Sequence, residues 1–195
     1  MRLSAAFVAI LLAGSPLGTA SAQTIFDPLT GRTTDLVPSN IGGGRAAATP
    51  IPRETVSYTT PHRPGTIVVN AQERRMYLVL EDGKALKYGV GVGRPGFEWG
   101  GTKQVTRKQE WPSWTPPAQM LKRRPDLPRF MPGGPENPMG ARALYLGSSL
   151  YRIHGSNEPE TIGQAVSSGC IRMLNDDVID LYERVKVGAR VVVVR

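Results

Sequence analysis

Apolar residues along this chain fall into short runs of β type, separated by turns rich in proline and glycine. Thr66-Ile67-Val68-Val69 and the segment from Arg75 to Leu80 are dominated by β-branched, aromatic and aliphatic residues and read as strands. Asp82-Gly83 is a hairpin signal that leads into a further strand over Lys84 to Val92. Thr102 to Glu110 alternates well enough for another. The segment from Trp111 to Pro117 suits neither strand nor helix, although Pro116-Pro117 can open a short helix running through Lys122. Leu127 to Gly140 reads as a long loop. Ala143 to Leu146 and Leu150 to His154 predict paired strands joined at Gly147-Ser148-Ser149, and Pro159 to Val166 a short connecting helix. One clear helix follows. Asn175 is its expected N-cap, Asp176 and Asp177 favour the positive end of its dipole, and Val178, Leu181, Tyr182 and Val185 share one face before Gly188 stops it. Val191 to Val194 predicts a last buried strand. The sum is a mostly β (β-rich α+β) domain with one or two helices packed against it.

The pattern changes the reading of the N-terminal third. Arg2 precedes an uncharged apolar run from Leu3 to Ala13, and Ala20-Ser21-Ala22 forms a small-residue cleavage site before Gln23. The run is too short to span a bilayer. Residues 1–22 are therefore expected to be a cleaved signal peptide, which places the mature chain in the periplasm. Residues 23–64 carry six prolines, Gly42-Gly43-Gly44 and little apolar periodicity, which predicts a flexible linker. Residues 65–195 remain as the folded domain.

Composition and charge narrow the chemistry. The 195 residues include 22 glycines and 17 prolines, as a loop-rich β domain requires, and the formal net charge is +8. Such a balance favours anionic partners, but outside the cytoplasm nucleic acid is a poor one, and no recognition motif is present. Gly91 to Gly96 matches G-x-G-x-x-G, yet Pro95, Phe97 and Trp99 forbid the helix that a dinucleotide site needs. One cysteine and two histidines are too few for a zinc site, so neither metal nor cofactor is expected.

Export makes the single cysteine informative, because Cys170 has no internal disulfide partner. It lies in Ser167-Ser168-Gly169-Cys170-Ile171-Arg172, sixteen residues after His154-Gly155 at the end of a predicted strand. A thiol attacks a carbonyl only as thiolate, so it needs a base or a nearby cation. His154 is the sole histidine of the predicted domain and the candidate base. Gly155 keeps the approach to the ring open, and its carbonyl is placed to hold the second ring nitrogen. Gly169 permits a tight turn that frees backbone N–H groups at Gly169 and Cys170 for an oxyanion. Arg172 either holds a substrate carboxylate or pairs with Asp176 or Asp177. Tyr145 and Trp114 either line the cleft or belong to the core.

These residues resemble the signature of the L,D-transpeptidase (YkuD) catalytic domain: His-Gly, an interval of this size, then Ser/Thr-His-Gly-Cys-apolar-Arg or -Asn. The resemblance runs from about Gly65 to Arg195. It includes Val90-Gly91-Val92-Gly93, Trp111-Pro112-Ser113-Trp114 and Asn137-Pro138-Met139-Gly140. It departs in one place, where Ser168 stands in for the second histidine; a serine hydroxyl still donates a hydrogen bond to the thiol or to substrate. The resemblance implies a mixed β-sandwich or barrel with the cysteine in a cleft. It also implies an exported peptidoglycan L,D-transpeptidase. Cys170 would attack the carbonyl of the third stem-peptide residue, release D-Ala and pass the acyl group to an amine without any cofactor. The acceptor would be a second stem peptide or an outer-membrane protein. A hydrolase of the same fold and a non-catalytic wall-binding module are the rival readings.

Overall fold

The computed structural model describes residues 51–195, together with two short strands, β1 (Gln23–Asp27) and β2 (Arg32–Leu36), that pair antiparallel. The expected signal peptide, and residues 28–31 and 37–50 of the expected linker, lie outside the described residues. The remaining strands are β3 (Glu54–Ser57), β4 (Ile67–Asn70), β5 (Arg75–Val79), β6 (Lys84–Gly89), β7 (Val92–Gly93), β8 (Gly101–Glu110), β9 (Arg142–Leu146), β10 (Arg152–His154), β11 (Ala165–Ser167), β12 (Ile171–Arg172) and β13 (Arg190–Val194). The helices are α1 (Ala118–Arg123) and α2 (Asn175–Arg184).

Among the described residues nine strands form one mixed sheet, in the order β12-β10-β9-β8-β13-β4-β5-β6-β3. The side of the sheet that ends at β3 is built on the hairpin series β4-β5-β6. Asp82 (φ 57°) and Gly83 (φ 65°) both take the left-handed conformation that a two-residue turn between twisted strands requires. The C-terminal strand β13 then inserts at the centre of the sheet, parallel to β4 and antiparallel to β8. Only one face of the expected buried strand is in the core: Val191 and Val193 are buried, whereas Val192 is half-buried and Val194 is exposed. Ile67, Met76, Val105, Leu144, Ile153 and Val191 meet in one core, which α2 covers with Val178 and Leu181, and Val185 just past its end joins them.

The sheet is not a closed barrel, since β12 and β3 are its edges. The chain leaving β6 nevertheless returns to the β12 edge. Gly91 and Arg172 exchange two backbone hydrogen bonds of 2.9 Å, and β7 pairs in parallel with β11. The glycine-rich Gly91 to Gly96 segment is thus backbone scaffolding around the segment from Ser167 to Arg172.

Three expectations change. Glu54–Ser57, placed in the linker, pairs antiparallel with β6, and Ile51 ahead of it is buried. Most side chains of β3 are exposed, so no apolar alternation announced it. Asn175 is the first helical residue of α2 rather than its cap, and its Oδ1 accepts from the Ala141 N–H at 2.9 Å. At the other end the helix stops at Arg184, because Val185 is already extended, and Lys108 Nζ donates to the carbonyls of Tyr182 and Val185. Finally, Pro159 to Val166 contains only a single 3₁₀ turn, Pro159–Thr161, before β11 begins.

Candidate active site

The site begins with the two-residue period of β10. Ile153 points into the core and is fully buried, so Arg152 and His154 on either side of it face the opposite way, towards a cavity. His154 is itself only 4% exposed. Its Nδ1 lies 2.5 Å from the Gly155 carbonyl oxygen. A carbonyl has no proton to give, so Nδ1 carries the hydrogen and Nε2 keeps its lone pair. Burial pushes the imidazole pKa down to about 3, the Arg172 charge adds to the fall, and the Gly155 carbonyl partly opposes it. The ring is therefore a neutral base at physiological pH.

Cys170 sits at the end of a tight turn. Gly169 has φ 105°, and a Cβ there would meet Tyr151 Cε1 at 2.6 Å, so glycine alone fits. Ser167 Oγ braces the turn by accepting from the Gly169 N–H at 3.1 Å and donating to the Cys170 carbonyl at 2.6 Å. Trp99 Nε1 donates to the Gly169 carbonyl at 2.7 Å, and the indole stacks on Tyr151 with centroids 4.6 Å apart. The half-buried thiol donates to the Leu150 carbonyl at 3.7 Å, a partner that accepts only from the protonated form. Burial raises the thiol pKa, opposed by the charges of Arg152 and Arg172. The resting pair is neutral thiol and neutral imidazole.

The structure brings Cys170, His154, Ser168 and Arg172 to one cavity of about 380 Å³. Gly155 lies behind the ring, and its lack of a side chain leaves room for Asn175 Oδ1. Two expected contacts differ. Arg172 does not pair with Asp176 or Asp177; it is 3% exposed and bonds Glu158 Oε2 at 2.7 Å. Ser168 Oγ accepts from Arg94 Nη1 at 3.3 Å, while the thiol turns to Leu150. Trp114 lines the cavity. Tyr145 does not, because its hydroxyl turns to Gln109 Oε1 at 3.2 Å and Arg107 covers its ring.

Sequence reasoning missed Tyr151, Trp99, Phe97, Arg123 and Arg152. Alternation along Leu150 to His154 would have placed Arg152 beside His154, whereas Trp99 and Phe97 arrive from a loop whose path no local pattern encodes. No Asp or Glu lines the cavity, although three arginines do. Among the described residues no cluster of three His, Cys, Asp or Glu is placed to hold a metal, and no helix is long and apolar enough to cross a membrane.

Fold and site together define a strand-rich domain with a cysteine and a histidine facing a single cationic cavity. The family model for the L,D-transpeptidase catalytic domain (YkuD) matches residues 64–193. The chain is 44% identical over 137 residues to a probable L,D-transpeptidase ErfK/SrfK of Escherichia coli K12, covering 66% of this chain and 43% of that protein. It is 39% identical over 150 residues to the probable L,D-transpeptidase YbiS of the same organism, covering 72% and 47%. The chain thus spans somewhat less than half the length of these relatives. Among solved structures, an L,D-transpeptidase from Mycobacterium smegmatis shares the fold at 18% identity and TM-score 0.54, over 67% of this chain and 58% of that one. A Brucella melitensis protein described as a probable carnitine operon oxidoreductase is 42% identical with TM-score 0.50, over 73% and 93%. The chain belongs to the L,D-transpeptidase catalytic-domain family.

Proposed function

We propose that this protein is an exported peptidoglycan L,D-transpeptidase that works in the periplasm with Cys170 as nucleophile and His154 as proton carrier. The observation that carries the reading is the shared cavity: it is lined both by a thiol on a braced turn and by an imidazole whose Nδ1 is locked on Gly155 so that its basic nitrogen is Nε2. His154 accepts the Cys170 proton as sulfur bonds to the carbonyl carbon of the third stem residue. The Cys170 N–H faces the developing oxyanion; the Gly169 N–H joins it on leaving Ser167 Oγ, to which it donates in the resting site. The C–N bond to D-Ala then breaks, imidazolium returns the proton to the departing amine, and a thioester remains. An acceptor amine, deprotonated by His154, attacks the thioester and releases the thiol. The acceptor is the side-chain amine of a second stem, giving a 3→3 cross-link, or an amine of an outer-membrane protein. One amide replaces another, so the cycle balances without a cofactor. Arg172 and Ser168 lie on the cavity wall where the donor's carboxylates would pass, with Arg172 acting through its fixed charge because Glu158 already holds its guanidinium.

Incubation of the purified protein with tetrapeptide muropeptides tests the reading. Dimers lacking one D-Ala are the expected products. Trimmed monomers alone would make it a hydrolase of the same chemistry, and wall binding with no covalent adduct of a carbapenem on Cys170 would make it a non-catalytic module.

A further inference from the structure

β10 turns two polar side chains into the cavity, and the reaction above uses only His154. The other is Arg152. Its Nη1 donates to the Leu150 carbonyl at 3.3 Å, the same oxygen that accepts the Cys170 thiol at 3.7 Å. Guanidinium and sulfur therefore flank one oxygen and stand closer to each other than the sum of those distances. Arg172, a second nearby cation, is ion-paired with Glu158 at 2.7 Å, whereas no carboxylate among the described residues lies within ion-pair distance of Arg152. The remaining charged or titratable groups around the sulfur are His154 on β10, Tyr151 just before it, Arg172 on β12, Arg123 on α1, and Arg94, which reaches Ser168 from behind the wall.

We propose that Arg152 is a positioning residue for the nucleophile: anchored on Leu150 O, it supplies the positive charge that stabilises the Cys170 thiolate once the proton has left. The Leu150 carbonyl holds the resting thiol. After deprotonation its negative end would repel the sulfur, and the guanidinium bound to that oxygen offsets the repulsion. Among the influences that draw the thiol pKa down against burial, Arg152 ranks ahead of Arg172. The proposal rests on Cys170 being the nucleophile, but not on what it acylates.

The test is the pH–rate profile of Cys170 alkylation by iodoacetamide, an uncharged probe that reports on a single site because the chain has one cysteine. Arg152→Gln is expected to raise the apparent thiol pKa by about one pH unit, slowing alkylation about tenfold at pH values well below the wild-type thiol pKa. Arg152→Lys restores most of the difference. Arg152→Met keeps an unbranched stem without the charge and carries the test if the glutamine variant fails to fold. Wild-type titration in the charge-removing variants overturns the proposal, and so does an unchanged titration with a raised KM for the tetrapeptide, which would make Arg152 a substrate contact instead. A shifted titration in a protein that turns over no muropeptide leaves the proposal standing and removes only the transpeptidase reading.

Discussion

His154 is buried as a neutral ring, and that fixes a stability signature. Its pKa falls from the ordinary 6.5 to about 3 in the folded chain. As pH drops through this window the unfolded chain binds a proton that the folded chain refuses. The associated stability is complete above about pH 6.5 and is lost progressively towards pH 3, at about 1.4 kcal/mol per pH unit. Urea unfolding of wild type and His154→Gln at several pH values from 7 to 4 should show the steeper fall in the wild type; parallel curves would contradict a buried neutral imidazole. Gly155 makes a second residue-level prediction. A Cβ there would overlap Asn175 Oδ1, which holds the Ala141 N–H. Gly155→Ala is expected to cost about 1–3 kcal/mol through this overlap. Adding Asn175→Ala should recover part of the loss, so thermal unfolding of the double variant must fall short of the sum of the singles.

Edge elements carry the next set of consequences. β3 joins the sheet through backbone pairing with β6, and the chain before it is fastened twice. Ile51 packs over Gly89, while Arg53 reaches Asp177 at 3.7 Å and Asp180 at 3.4 Å on α2. Asp180 in turn accepts from Tyr88 at 2.7 Å, so β6, α2 and the segment before β3 form a single unit. Ile51→Ala is therefore expected to lower stability by about 2 kcal/mol, the low end for a large aliphatic at the core margin. A chain shortened to begin at Gly65 should unfold at a distinctly lower denaturant midpoint than one beginning at Ile51. Equal midpoints would show that β3 and its lead-in are dispensable. The elements that carry the candidate site are short by comparison, β10 with three residues and β12 with two, and they hold their geometry through neighbours on both sides.

For the molecule as a whole, the decisive feature is the field in the cavity. The chain's net charge of +8 is an average, but Arg123, Arg152 and Arg172 concentrate it around Cys170 with no acid in the lining. Charges focused in a cleft attract anionic ligands and are screened by salt, with a Debye length of about 10 Å at 0.1 M. The KM for a tetrapeptide donor ending in a free carboxylate should rise several-fold between low salt and about 0.5 M, while a donor amidated at that carboxylate should show a much weaker dependence. Identical salt profiles would mean that the cationic lining does not meet the donor's carboxylate.

The strands β4, β5, β6, β8 and β13, the helix α2 and the candidate residues Cys170 and His154 that line one cavity were legible in the sequence, because each rests on local information: β-branched runs, a turn that needs Asp-Gly, amphipathic spacing, a single thiol after glycine. Helix caps, edges and partners were not. Asn175 was free to cap α2, yet the packing of the loop at Ala141 claimed its side chain; Arg172 met Glu158 rather than a neighbouring aspartate because β12 directs it into the wall of the cavity. Trp99, Tyr151 and Arg152 reach the site through contacts between segments remote in sequence or through a strand register. By itself the sequence determined which chemical groups exist and which stretches extend or coil, since those follow from side-chain type and period. Only the tertiary structure decided which groups meet and how far water is excluded from them. Those two conditions leave the thiol and imidazole neutral at rest, with arginine charge beside the sulfur.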